Sequence, residues 1–190
     1  MGLDCLITPA CLIDETRFSA NADLMKKHLA AQGVAFRPHV KTLKSLQAAR
    51  YYAPAGMPIT VSTLAEAEYF ASGGYTDIMY AVTLTPNKLE QTRSLLAQGI
   101  RLTVLIDSLE ACEMLVSRWR SDYSLAVALE VDVDDHRAGL KPDSPLLIEI
   151  AQRLEHTESL LFAGVVAHAG ASYGCFTDDA RRAMAEQEVS

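Results

Sequence analysis

Apolar residues recur along the chain in two alternating patterns, one typical of amphipathic helices and one typical of buried strands. The first helix is predicted to begin after Asp14, since Ala22, Met25 and Leu29 then recur at helical spacing. Gly33 supplies a stop at the C-terminal end of this helix. The chain therefore opens with one amphipathic helix.

A unit of one apolar strand and one amphipathic helix then repeats. The predicted strands are 34–40, 58–62, 77–82, 101–106, 125–131 and 160–167. The predicted helices after the first are 45–52, 63–72, 85–98, 107–119, 145–156 and 178–188. This alternation predicts an α/β fold with parallel strands joined by right-handed crossovers.

Two architectures fit this alternation, a closed (β/α)₈ barrel and an open doubly wound sheet. A doubly wound dinucleotide fold carries G-x-G-x-x-G after its first strand, whereas 41–44 contains no glycine. That favours the barrel, which takes about 250 residues and eight strands. We therefore expect residues 1–190 to form one domain, a TIM-type barrel truncated to about six βα units. It would be the front part of a longer protein; a complete six-unit sheet is the alternative.

Composition and charge exclude several classes of protein. Hydrophobic residues make up 49% of the chain and charged residues 22%, as in ordinary globular domains. The formal charge of −7 argues against nucleic-acid binding, and the apolar runs are too short to span a membrane. The four cysteines show no zinc-site spacing, which predicts reduced thiols in a cytoplasmic protein.

Residues able to carry chemistry lie where three predicted strands end. These segments are 37–41, 130–139 and 168–174. In barrel enzymes the catalytic residues lie at the carboxyl ends of the strands. We therefore expect Lys41, Arg137 and His168 to converge at one end of the fold.

Lys41 is the most specific of these candidates. A lysine that ends an apolar strand is expected to be desolvated, which lowers the pKa of its amine and makes it a nucleophile. A Schiff base with an aldehyde cofactor is the natural use of such an amine. The alternative is a solvated loop lysine, as most lysines are. Arg37, His39, Lys41 and Lys44 together are also interpreted as a possible anion site.

The other candidates each have an ordinary structural explanation. Arg137 follows an acidic stretch and is either a surface ion-pair partner or a fixed donor to an anionic oxygen. His168 ends an apolar strand and is either a core histidine or a site residue. Ser172 and Tyr173 lie in a glycine-bounded loop and are weak signals alone.

Taken together, these segments resemble the D-threonine aldolase / D-serine dehydratase family, whose members are pyridoxal-phosphate enzymes with an alanine-racemase-type N-terminal barrel. The resemblance spans essentially the whole chain, and several motifs in the same order make it specific. The matching segments are 8–10 with 12–14, 37–42, 130–134 with 136–139, and 167–170 with 172–174.

The resemblance implies a role for each candidate. Lys41 matches the catalytic lysine that forms the internal aldimine with pyridoxal phosphate. Arg137 matches the arginine that approaches the phenolic oxygen of the cofactor, and His168 the histidine beside its pyridine ring. The remaining assignments are His39 and Tyr173 to the cofactor and Ser172 to the substrate side.

Three departures from the family accompany this resemblance. Leu43 stands where the family usually carries a histidine. The glycine-rich phosphate cradle of this fold follows a seventh strand, and the sequence contains none. The family's C-terminal β domain, which supplies a histidine and a cysteine or aspartate to a divalent metal such as zinc, is also not in this sequence.

The resemblance implies a pyridoxal-phosphate-dependent lyase, or its N-terminal part, acting on D-3-hydroxy amino acids such as D-serine or D-threonine. A small D-amino acid would be its partner, and the full-length protein would be a homodimer. A stand-alone carrier of pyridoxal phosphate and an amino-acid racemase are alternatives on the same scaffold. An unrelated α/β domain that binds no cofactor is a third alternative.

Overall fold

One parallel sheet organises the computed structural model, which describes residues 3–135 and 137–189. Its five strands lie side by side in sequence order, with no reversal. A doubly wound sheet reverses its strand order at a switch point, so this winding is that of a barrel, open between its first and last described strands. The strands are β1 (Ile59–Val61), β2 (Asp77–Thr83), β3 (Arg101–Ile106), β4 (Leu125–Val131) and β5 (Leu160–Ala167).

Seven α-helices occupy the connections and the two ends of the described chain, close to where the apolar pattern predicts them. They are α1 (Glu15–Ala31), α2 (Leu46–Tyr52), α3 (Leu64–Ser72), α4 (Leu89–Ala97), α5 (Leu109–Arg118), α6 (Leu146–Glu155) and α7 (Asp178–Val189). Side-chain oxygens cap several N-termini: Asp14 Oδ1 accepts the Arg17 amide at 3.0 Å, and Thr63 Oγ1 accepts the Glu66 amide at 3.0 Å. None of the described helices combines the length and apolarity that crossing a membrane requires.

The strand predicted over 34–40 is wrong. Only His39 pairs there, in an isolated parallel bridge with Thr60 of β1. The backbone bonds are Thr60 N–H to Pro38 O and Val40 N–H to Thr60 O, both 2.9 Å. β1 is three residues long, and the segment turns away directly after His39, so no longer ladder forms. The sheet therefore has five strands instead of six.

The apolar core lies between the sheet and the helices packed on it. Residues in register on adjacent strands form its centre, such as Tyr80 beside Val104 and Val104 beside Val127, all at most 1% exposed. The fully buried Tyr75 packs edge-on against Phe70 with ring centroids 5.5 Å apart. Burial of each large side chain stabilises the fold by about 1.5–3 kcal/mol. A rigid sheet edge results, on which side chains from separate loops can be held together.

The loop after β4 returns to the strand that it leaves. Leu140 donates its amide to Glu130 O and accepts the Asp132 amide, both at 2.9 Å. Gly139, next to this bridge, has φ +121°, and a Cβ there would lie 2.6 Å from Glu130 O. Only glycine fits this position, so the return of the loop depends on it.

Gly139→Ala is therefore expected to destabilise the protein by about 2–3 kcal/mol, from backbone strain combined with a close contact. Gly99→Ala is the matched control, because Gly99 also has a positive φ (+82°) but an added Cβ would meet nothing within 4 Å. Urea unfolding of both variants measures the difference. Equal losses of unfolding free energy would show that the contact with Glu130 O has no effect.

Candidate functional site

Lys41 lies at the carboxyl edge of the sheet, in a turn that follows the His39–Thr60 bridge. The turn closes through a 3.1 Å hydrogen bond from the Lys44 amide to Val40 O, with Lys44 at φ +46°. Val40 is fully buried and anchors the turn, whereas Lys41 is exposed. The desolvation expected for Lys41 from the sequence is therefore not present in this chain.

His39 contacts the Lys41 backbone directly. Its Nδ1 lies 3.3 Å from the Lys41 amide nitrogen, and its Nε2 lies 3.1 Å from Ser62 Oγ. Burial, and then the positive charge of Lys41, hold the pKa of His39 below its ordinary value. The ring is therefore kept neutral near pH 7, with both nitrogens engaged.

Arg137 lies in the loop after β4 and lines an open cleft of about 420 Å³ together with Thr83, Glu130 and three apolar neighbours. Burial, and then the negative charge of Asp107, raise the pKa of Glu130, while the Arg137 guanidinium opposes this rise. The cleft thus holds one cation and one carboxyl group. His136, which belongs to the same sequence motif, lies outside the described residues.

His168 directly follows β5 and is half-buried. The Tyr173 hydroxyl lies 3.4 Å from His168 Nε2, and the two ring centroids are 5.7 Å apart. Burial, then Arg137, then Lys41 hold the pKa of His168 below its ordinary value. Ser172 is exposed in the 3₁₀ turn Gly170–Gly174 beside Tyr173.

The loops after β4 and β5 are joined by a hydrogen bond. Asp134 Oδ2 accepts the Ala171 amide at 2.6 Å. The charge of Lys41 acts on both His39 and His168, and that of Arg137 acts on His168. The structure therefore brings together, at one edge, residues that follow three separate predicted strands.

Two members of the basic cluster 37–44 have partners elsewhere. Arg37 Nη2 lies 2.7 Å from Asp77 Oδ1, at the amino-terminal start of β2, and its Nη1 donates to Ile59 O at 3.2 Å. Lys44 Nζ lies 2.9 Å from Glu66 Oε1. The interpretation of this cluster as one anion site is therefore wrong, since Arg37 and Lys44 are engaged by carboxylates.

Three further polar residues lie at the same edge, and the sequence patterns assigned a role to none of them. Thr83 ends β2 and donates to Asp107 Oδ2 at 2.7 Å, directly after β3, and Glu130 lies near the end of β4. Their position at the ends of apolar strands is the signal that could have found them. Over residues 3–135 and 137–189, no group of three or more histidine, cysteine, aspartate or glutamate side chains is arranged to hold a metal ion.

Known proteins resemble this chain over nearly its whole length. The D-threo-3-hydroxyaspartate dehydratase of Delftia sp. (strain HT23) is 42% identical over 96% of this chain and 49% of its own. The D-serine dehydratase of Dictyostelium discoideum is 30% identical over 97% of this chain and 50% of its own. A solved structure of the Delftia enzyme superposes with a TM-score of 0.88 at 40% identity, over 97% of this chain and 49% of that one.

The chain thus spans about half the length of the curated relatives that it matches. The fold is also that of the D-threonine aldolase of Filomicrobium marinum, with a TM-score of 0.85 at 23% identity over 96% of this chain and 50% of that one. Residues 13–189 match the sequence model of the alanine racemase N-terminal domain. By this match and by its sequentially wound parallel sheet, the chain belongs to the alanine racemase N-terminal domain family.

Proposed function

We propose that the complete gene product is a pyridoxal-phosphate-dependent lyase that acts on small D-3-hydroxy amino acids. The observation that carries this proposal is that Lys41, Arg137 and His168 all lie at the carboxyl edge of one parallel sheet, where the hydrogen bond from the Ala171 amide to Asp134 joins the loops of Arg137 and His168. The names of the two curated relatives, a D-threo-3-hydroxyaspartate dehydratase and a D-serine dehydratase, support the substrate class. The family to which the chain belongs implies the cofactor.

The side chains at this edge fit pyridoxal phosphate. Lys41 offers an exposed primary amine that no ion pair engages within the described part of the chain. Arg137 offers a guanidinium at an open cleft of about 420 Å³, and His168 with Tyr173 offers flat ring surfaces. When bound, this cofactor withdraws the electrons released at the substrate Cα.

Each residue then has a defined task. Lys41 Nζ would hold the cofactor through its aldehyde carbon, with loss of water, and its amine would accept the proton from the substrate Cα. The Arg137 guanidinium would donate hydrogen bonds to the phenolic oxygen of the cofactor. His168, held by the Tyr173 hydroxyl 3.4 Å from its Nε2, would lie against the cofactor ring, and Ser172 would lie on the substrate side.

The described residues do not fit a divalent metal site, so no metal-assisted step is assigned to them.

We also propose that the complete gene product is a homodimer. Sedimentation equilibrium measures its molar mass and tests this proposal.

Assays with D-serine, D-threonine and D-threo-3-hydroxyaspartate distinguish the two lyase reactions. Dehydration releases ammonia and a keto acid, whereas aldol cleavage releases glycine. Formation of the L-enantiomer without either product would favour a racemase over a lyase.

Lys41→Arg is expected to abolish both covalent attachment of pyridoxal phosphate and turnover, because a guanidinium does not form a Schiff base. Borohydride reduction followed by peptide mass spectrometry locates the attached pyridoxyl group independently of activity. Lys141→Arg is the matched control, since Lys141 is an exposed lysine of the neighbouring loop that is paired with Asp132 at 3.2 Å. Attachment to a lysine other than Lys41 in the parent protein would refute the assignment.

His168 is expected to titrate below its ordinary value of 6.5, the direction that its burial and its cationic neighbours impose. The charged groups that act on it are Arg137, Lys41, Asp134 and Glu188. Because the folded state then binds this proton more weakly than the unfolded chain, the stability contribution is complete above pH 6.5 and is lost as the pH falls.

Nuclear magnetic resonance of the imidazole rings measures this titration. Arg137→Gln should move the midpoint of His168 upward, because the Arg137 guanidinium is the first of the charged groups that lower the pKa of this ring. A midpoint of His168 that does not respond to Arg137→Gln would show that the two side chains are not neighbours.

A further inference from the structure

The turn that carries Lys41 is held by a closed series of polar contacts. His39 Nδ1 meets the Lys41 amide at 3.3 Å, and His39 Nε2 meets Ser62 Oγ at 3.1 Å. The Ser62 amide donates to Glu66 Oε2 at 2.8 Å, and Glu66 Oε1 lies 2.9 Å from Lys44 Nζ. The series thus begins at Lys41 and returns to the far end of the same turn at Lys44.

The chemistry of these groups fixes the tautomer of His39. A backbone amide can only donate, so Nδ1 must accept from Lys41 and must be unprotonated. The proton of the neutral ring is therefore on Nε2, which donates to Ser62 Oγ. Burial, then Lys41, and to a smaller extent His168 lower the pKa of this ring, whereas Glu66 and the Thr60 backbone raise it; the net direction is downward, which favours the neutral form.

Glu66 anchors this series of contacts to helix α3. It lies in the first turn of α3, is 7% exposed, and its amide is bonded to the N-cap Thr63. Burial raises the pKa of Glu66, but hydrogen bonds from Lys44 and the Ser62 amide outweigh it and keep the carboxylate charged. The sequence predicts a capping box here, in which the carboxylate would bond the Thr63 amide. In the structure it bonds the amide of Ser62 instead, and this places Ser62 beside His39.

We propose that His39, fixed by Ser62 and Glu66, is a positioning residue that sets the direction in which the Lys41 side chain leaves the backbone. The inference rests on the proposed function of Lys41 and goes beyond it, because His39 acts through the Lys41 amide without needing to touch the cofactor. The position of the amine matters because displacing a reacting group by about 1 Å greatly slows its reaction.

The test compares variants of His39 in the complete gene product. Asparagine places an acceptor oxygen close to the position of Nδ1, so His39→Asn keeps the bond to Lys41, whereas His39→Ala removes it. The rate of attachment of pyridoxal phosphate to Lys41, trapped by borohydride, should fall about tenfold in His39→Ala, the effect of one lost hydrogen bond. His39→Asn should recover most of this rate, and Ser62→Ala should lie between the two.

Hydrogen exchange of the Lys41 amide is the second measurement and needs no cofactor. It should accelerate in His39→Ala and stay slow in His39→Asn, because only the first variant frees the amide. His156→Ala and Ser117→Ala are the matched controls, since both side chains bond helix carbonyls, His156 to Gln152 O and Ser117 to Glu113 O and Met114 O. Neither should change the attachment rate or the exchange of Lys41, and thermal melting reports any general loss of fold.

The outcomes separate this inference from the proposed function. If the parent protein carries no pyridoxal phosphate on Lys41, the proposed function fails and the inference fails with it. If Lys41 is labelled normally in the parent and equally fast in His39→Ala, the inference alone is overturned. Equal slowing in His39→Asn and His39→Ala would also overturn it, because the acceptor at Nδ1 would then be irrelevant.

Discussion

Parallel pairing in sequence order is the constraint on which the rest of this structure depends. It places the carboxyl ends of neighbouring strands along one edge, so that residues far apart in the chain meet there. Lys41 reaches this edge through two backbone bonds between Thr60 and the segment before the turn. Arg137 and His168 reach it because each follows a strand of the same sheet. Strand order thus determines which residues meet at the site, and the individual side chains then determine its chemistry.

Much of the fold could be predicted from the apolar pattern. The strands 101–106, 125–131 and 160–167 begin and end where the pattern places them, because each is rich in apolar residues and is followed directly by a polar residue. The segment 34–40 shows the limit of this reasoning. Its composition favours a strand, but a strand needs a partner, and the three residues of β1 provide only one bridge. Strand pairing depends on two segments, so the composition of one segment does not predict it.

The candidate site could also be predicted only in part. Their positions after predicted strands identified Lys41, Arg137 and His168 as candidates without knowledge of any contact. It did not find that Arg37 pairs with Asp77, because the two meet only when β1 and β2 are in register. The exposure of Lys41 was missed for a similar reason, since its burial depends on the turn that it adopts. The chain carries a net charge of −7, and this edge holds carboxyl groups, such as those of Asp107 and Glu130, together with the cations Lys41 and Arg137, which lower the pKa of His168.

The bridge between Leu140 and the end of β4 closes the intervening loop with its own backbone bonds. The pairing of β4 with Leu140 therefore does not depend on the described side chains of this loop. Such a loop can accumulate substitutions while the scaffold keeps its stability, so it is a place where one ancestral domain could diverge toward different substrates. Residues of this loop other than Asp134 and Arg137 can therefore be substituted without unpairing its base, which β4 and Gly139 fix.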